Sequence, residues 1–441
     1  MTVLAGPLTV DLMTTHPDMT DAELDQPAMI VSSDSHVGPR LNDDLRQYCP
    51  EAWLEEFDND VSKQTYLAEK AARQAAADGE VAAPHPNLDL PGHYDPHARI
   101  ADMDAEGVAS EVLFHFSQNG ENFPWVGQGL WTIYDFERGA VAYEIYNRWL
   151  ADFCSVDPAR HIGLAYLPTW DIDAAITEMR RCKASGLKAI NFPPPSRPNH
   201  IEYNNPAWDP FWAAAAELDM ALVTHASGAA HFDYHGGPAG TAIMIYESGG
   251  YMARRAVWWL AMSGVFERHP GLRLVITEQF EGWWRQTLHE MDVVGGRFGP
   301  DMALKRLPSE YAAENVYIGA SFLSPEMAQD AWRHGYDQNV IWGSDYPHVE
   351  GTFVHLDDPD AEPITQLALR NTFGHVPPTS AARMAGENGV RAFGLDRDEL
   401  RAVAQRIGAP SLRSLTTPPD VLPKIPDGSM AFSGQVGFLA E

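Results

Sequence analysis

Eight short apolar runs, most of them separated by stretches with helical patterning, leave this chain few folds to choose from. The runs lie at 28–31, 108–116, 161–167, 187–192, 220–225, 271–277, 315–320 and 339–343. The helical stretches lie at 135–155, 171–185, 207–218, 251–268, 283–293 and 325–335. Strands and helices that alternate at this spacing predict parallel βαβ units. Eight units favour a closed (β/α)8 TIM barrel over an open doubly wound sheet. No GxGxxG fingerprint follows the first run, which weighs against the open sheet.

The rest of the 441 residues is arranged around that barrel. Residues 1–27 read as an extended N-terminal arm, and 28–394 as the barrel domain. Within it, 40–97 reads as an insertion after the first strand, with an Ala-rich helix over 62–79 and a proline-rich loop over 82–98. Helices are predicted at 378–393 and 397–407, and 395–441 reads as a C-terminal helix and wrapping tail. With 45% hydrophobic and 21% charged residues the chain can bury a large core, so global disorder is excluded. Lys and Arg number 31 against 61 Asp and Glu, a net charge of −30, which argues against nucleic acid and anionic membrane as partners. No apolar run approaches the roughly 20 residues that span a bilayer. The first basic residue is Arg40, so the basic start of a signal peptide is missing, and three scattered cysteines make no disulfide framework. The expectation is a cytoplasmic protein, a homo-oligomer such as a dimer, acting on a small molecule.

Reactive groups of a barrel sit at the carboxyl ends of its strands. The first run leads into Asp34-Ser35-His36, where residues two apart point the same way. The second run ends in His115, the fifth in His225, and the sixth is followed by Glu278. The eighth is followed by Ser344-Asp345 and then Tyr346-Pro347-His348. A single strand-end His is usually structural, and an Asp after a strand is often a helix cap. Several imidazoles and carboxylates at the same end of different strands are instead what a divalent metal requires.

These segments resemble the amidohydrolase superfamily, in the branch around aminocarboxymuconate-semialdehyde decarboxylase. The resemblance runs through Ser33-Asp34-Ser35-His36, the stretch 95–107 (DPHARIADMDAEG), and 187–225 with its LKAINFPPP start. It continues through 264–278 (GVFERHPGLRLVITE), 341–351 (IWGSDYPHVEG) and 387–394 (ENGVRAFG), and so covers about 28–394. It implies a TIM barrel with one divalent ion on Asp34, His36, His225 and Asp345, zinc first, with manganese or iron as alternatives. Two positions depart from the family pattern. Asp34 stands where a histidine is frequent, and Glu278 stands where the decarboxylases carry a histidine.

Two His and two carboxylates neutralise a divalent ion, and an ionised Glu278 would make the centre negative. Such a centre has little attraction for a substrate carboxylate. A metal-bound water with Glu278 as its base suits hydrolysis. The expectation is therefore a metal-dependent hydrolase of a small hydrophobic or aromatic carbonyl compound, with Glu278, Asp345 and His348 as catalytic residues. His115, Phe192, Arg197, His231 and Trp283 are the candidate substrate contacts. The alternative is a non-oxidative decarboxylase of an aromatic or unsaturated acid, in which protonated Glu278 serves as the acid. A barrel that only binds metal or ligand is a lesser one.

Overall fold

The computed structural model describes residues 19–78, 85–126, 135–193, 201–225, 238–279, 282–298, 304–355, 361–425 and 429–432. Among the described residues nine strand segments carry the fold: β1 (Val31–Ser32), β2 (His36–Val37), β3 (Ser110–His115), β4 (His161–Tyr166), β5 (Ala189–Asn191), β6 (Ala221–Thr224), β7 (Leu274–Ile276), β8 (Val316–Ala320) and β9 (Val340–Trp342). All pair in parallel, in the order β1-β3-β4-β5-β6-β7-β8-β9, with β2 also beside β3. β1 and β2 are two pieces of one barrel strand, because both run along β3, Val31 opposite Ser110 and His36 opposite Phe114. The ring is joined between the first strand and the last. Ser33 N donates to Trp342 O (2.9 Å), Asp345 N to Asp34 O (2.9 Å) and His36 N to Tyr346 O (2.6 Å). This is the expected (β/α)8 barrel.

Every strand residue is buried. That explains why the runs are continuously apolar rather than alternating: helices cover the outside and side chains fill the inside. Val31, Val112, Ile162, Leu164, Val223 and Ile341 belong to the inner cluster, which Phe393 and Leu400 from the C-terminal helices close at the lower end.

Three sequence expectations are corrected here. The first strand lies at 31–37 rather than 28–31. Ala28 N is taken by Pro410 O (2.9 Å) and Pro27 pairs antiparallel with Ser411, so this stretch ties the tail to the lower end of the barrel. The helix expected over 251–268 is broken into Arg255–Met262 and Val265–Arg268, because Gly264 takes a left-handed turn at φ +72°. The loop expected through 98 ends earlier. Asp95 caps a helix, Pro96–Glu106, by accepting from His97 N (2.8 Å) and Ala98 N (3.3 Å), with Pro96 at the first helical position.

The segment after the first strand builds the mouth. Its long helix, Leu54–Asp78, begins well before the Ala-rich stretch. It lies across the loop after β3, with Phe57 edge-on to Trp125 (5.9 Å) and Asp60 accepting from Trp125 N (2.7 Å). The tail reaches the same end of the barrel, where Met430 N donates to Glu350 O (2.8 Å) and Ser429 Oγ to Gly351 O (3.1 Å). Among the described residues no helix is long and apolar enough to cross a membrane.

Candidate metal centre and active-site pocket

Four side chains converge at the carboxyl end of the barrel. His36 Nε2 lies 3.3 Å from Asp34 Oδ1 and 3.3 Å from Asp345 Oδ1, and His225 Nε2 lies 3.6 Å from Asp34 Oδ1. Donor atoms bound to one ion at about 2.1 Å are separated by about 3.0–3.5 Å, so these spacings are those of a ligand shell. Asp34 Oδ1, His36 Nε2 and both Asp345 carboxylate oxygens are buried without a hydrogen-bond partner among the described residues. Buried polar atoms are rarely left so, and a cation would satisfy all of them together. The donor set of oxygen and imidazole nitrogen fits a divalent ion.

The surroundings orient these groups. His36 Nδ1 donates to His115 O (2.7 Å), which leaves Nε2 as the free lone pair. Ser321 Oγ donates to Asp34 Oδ2 (2.5 Å), turning Oδ1 inward. His348 stacks on His36 (3.9 Å), donates from Nε2 to Phe116 O (2.6 Å) and faces Asp345 Oδ1 with Nδ1 (3.0 Å). Burial opposes a charge on this ring, but Asp345 and Glu350 push His348 up to about 9. Burial likewise opposes ionisation of Asp34, yet the facing His225 and His36 hold its carboxyl well below the ordinary range. The glycines of the last-strand segment are there for closeness. A Cβ on Gly343 would lie 3.0 Å from Asp34 Cβ, and one on Gly351 would lie 2.5 Å from Asp345 O.

Above the donors is a cavity of about 180 Å³ bounded by described residues that include Phe114, Phe116, Tyr166, Asn191, Glu278 and Glu350. Glu278 Oε2 sits 3.5 Å from His225 Nδ1. Burial pushes its carboxyl up to about 8; His225 opposes the rise, and Asp345 and Asp34 add to it. Phe116, Glu278 and Asp345 all hold left-handed backbone, at φ +69°, +56° and +53°. Each costs about 1–3 kcal/mol and persists only where the surroundings dictate it, which is common at active sites.

Of the sequence candidates, Asp34, His36, His225, Asp345, Glu278 and His348 come together here. His115 borders the cavity, but its ring is wedged against Phe123 (4.3 Å) and Tyr146 (5.2 Å). Phe192 is fully buried in an aromatic cluster with Tyr203 (4.6 Å) and Trp212 (5.5 Å), away from the cavity lining. Trp283 heads the helix Trp283–Phe298, lies beneath the Arg254 guanidinium (4.8 Å) and does not line the cavity. Arg197 and His231 lie outside the described residues. Sequence reasoning missed Ser321, one residue past the seventh apolar run. It also missed Tyr166 and Asn191, polar side chains inside the runs 161–167 and 187–192.

Set against known proteins, residues 130–395 match the model of the family described as Amidohydrolase. Gamma-resorcylate decarboxylase of Rhodococcus jostii is 30% identical over 194 residues, which are 40% of this chain and 56% of that protein. The crystal structure of 5-carboxyvanillate decarboxylase from Sphingomonas paucimobilis superposes with a TM-score of 0.55 at 21% identity, covering 84% of this chain and 100% of the other. That of dihydroxybenzoic acid decarboxylase from Polaromonas sp. JS666, with bound manganese and 2-nitroresorcinol, gives 0.52 at 18% identity, covering 85% and 99%. The Rhodococcus relative overturns the expectation of hydrolysis. The site shows a matching tendency: burial pushes the Glu278 carboxyl up, which favours its protonated, proton-donating form.

Proposed function

The chain belongs to the amidohydrolase family, and on that premise we propose that it is a metal-dependent, non-oxidative decarboxylase of a single-ring hydroxylated aromatic acid. The observation that carries this reading is the placement of Glu278 on the wall of the cavity that His36 and His225 also line, where burial pushes its carboxyl up and favours the protonated form. Asp34, His36, His225 and Asp345 would hold the ion. Bound there, a divalent cation supplies positive charge that draws an oxygen-bearing substrate to the floor. Manganese suits this oxygen-rich set as well as zinc does, and the Polaromonas structure holds manganese.

The charge balance that favoured hydrolysis changes once Glu278 is neutral. Asp34 and Asp345 offset the ion, a protonated Glu278 adds no charge, and Glu350 lies 3.9 Å from His348 and balances it. The repulsion that an ionised Glu278 would exert on a substrate carboxylate is then removed. The cavity of about 180 Å³ is smaller than the roughly 300–1,000 Å³ of sites for drug-sized ligands, and Phe114, Phe116 and Tyr166 wall it, so it suits one aromatic ring.

In the step itself Glu278 gives its proton to the ring carbon that bears the carboxylate. A C–H bond forms, the C–C bond to the carboxylate breaks, and its electron pair restores the ring as carbon dioxide leaves. Glu278 remains as a carboxylate and is reprotonated from water through the pocket opening. His348 keeps Asp345 in place throughout.

The test is incubation of the manganese-loaded protein with 2,6-dihydroxybenzoate and related hydroxybenzoates in D2O. The expected result is carbon dioxide release with one deuterium at the vacated ring carbon. Absence of carbon dioxide from the whole panel, with uptake of 18O from labelled water into an amide or lactone product, would overturn the proposal.

A further inference from the structure

We propose that Arg99 is a positioning residue for the metal centre, gripping from outside the pocket the two strands that present His36 and Asp345. The inference rests on reading Asp34, His36, His225 and Asp345 as the metal donors.

Arg99 is fully buried on the helix Pro96–Glu106 and lines no part of the cavity. Its guanidinium is used on every side. Nη1 donates to His36 O (3.0 Å), the backbone of a donor residue. Nε and Nη2 form a fork on the Glu111 carboxylate of β3 (2.8 Å each). Its face lies 3.7 Å above the ring of Tyr346, the residue after Asp345, and Tyr346 Oη donates to Asp102 on the same helix (2.5 Å). Glu111 passes the grip on, since it also accepts from Ser35 Oγ (3.0 Å), between the two first-strand donors.

The location explains why such a grip is needed. His36 comes from the first strand and Asp345 follows the last, so their 3.3 Å separation spans the joint where the barrel closes. Backbone bonds already cross this joint, from His36 N to Tyr346 O (2.6 Å) and from Asp345 N to Asp34 O (2.9 Å), and Arg99 adds a side-chain brace to them. Arg99 belongs to neither strand and touches both. A buried ion pair seldom stabilises a fold more than apolar residues of similar size would, because desolvation cancels the attraction. Its directional bonds are what apolar residues cannot supply, and a planar fork with five donors is specific to arginine.

Two variants test this. Arg99→Lys keeps the charge and loses the fork. Arg99→Met combined with Glu111→Gln removes the whole pair without leaving a buried charge, and so guards against simple misfolding. Manganese affinity is measured by chelator competition, and the cobalt-substituted protein gives a d–d absorption spectrum that reports ligand geometry. The melting midpoint of the metal-free chain is read alongside. Expected are a 10–100-fold loss of manganese affinity in both variants and a shifted cobalt spectrum. The metal-free midpoint of the double variant should stay near that of the parent. Unchanged affinity and spectrum with a lowered midpoint would overturn the proposal and make Arg99 structural. A parent protein that binds manganese no better than His225→Ala would instead overturn the donor assignment beneath it.

Discussion

The floor of the pocket and its rim are built in different ways. The floor donors Asp34, His36, His225 and Asp345 stand at strand ends; backbone bonds across the barrel joint hold the carriers of Asp34, His36 and Asp345 in place, and β5 and β7 flank that of His225. The rim is made of loops. Glu350 is held by two hydrogen bonds from Gln118 Nε2 (3.1 and 2.9 Å), Val349 N donates to Gln118 Oε1 (3.1 Å), and the tail adds Met430 N on Glu350 O. Floor geometry follows from the sheet and is hard to change in part. Rim geometry depends on pairs distant in sequence, about 230 residues apart for Gln118 with Val349 and Glu350, and can be loosened without unfolding the barrel.

The largest effect should come from the floor. Asp345→Ala is expected to lose bound metal and all measurable turnover while keeping helical circular dichroism. Elemental analysis showing full metal occupancy would break the assignment of Asp345 to the floor. Glu278→Gln sits at the boundary between the two regions. It should lower kcat roughly 10²–10⁴-fold with metal still bound, as expected for loss of a general acid. Metal loss in that variant would move Glu278 into the donor set.

A rim change should be milder. Gln118→Ala is expected to raise KM roughly five-fold, about 1 kcal/mol of substrate binding, with kcat and metal content nearly unchanged. A collapse of kcat or of metal content would show that floor and rim are one unit. The last effect is on stability rather than on turnover and concerns the link between them. Thr365 Oγ1 pairs with Thr352 Oγ1 (3.1 Å), Thr352 N donates to Ser344 O (2.8 Å), and Thr365 N donates to buried Glu106 (3.2 Å). Burial pushes the Glu106 carboxyl up to about 7, the Thr365 bonds pull against that, and Asp102 adds to it. The folded state thus holds this proton more tightly than the unfolded chain does. The stabilisation is complete below about pH 4.5 and is lost as pH rises through about 7. Glu106→Gln should flatten this slope and add on the order of 1–3 kcal/mol at pH 8 in urea unfolding. A parent protein whose stability does not fall between pH 5 and 8 would refute it.

The barrel was legible because burial on both faces leaves a strand few polar positions away from its ends, so apolar runs and strand-end residues stand out. The six residues that gather at the site were found by that logic and by the family resemblance. The same logic failed at the edges. Ser321 lies one position past a run, Asn191 and Tyr166 lie within runs, and Asp95-Pro96, a helix start, was absorbed into a proline-rich loop. Phe192 and Trp283 were placed near the pocket because they follow or adjoin strand ends, but large aromatic residues there also fill the layer between strands and helices.

Spacing along the chain is enough to determine that parallel strands must alternate with helices, and which side chains must emerge together at one end, because strand geometry is local and periodic. It does not determine the reaction. Glu278 reads as a base when its charge is taken from its ordinary pKa, whereas in the folded chain burial shifts it toward the protonated form. Arg99 reads as a helix residue until the helix is docked against the joint of the barrel. Protonation and grip both depend on which distant groups lie within a few ångströms, and only the folded chain decides that.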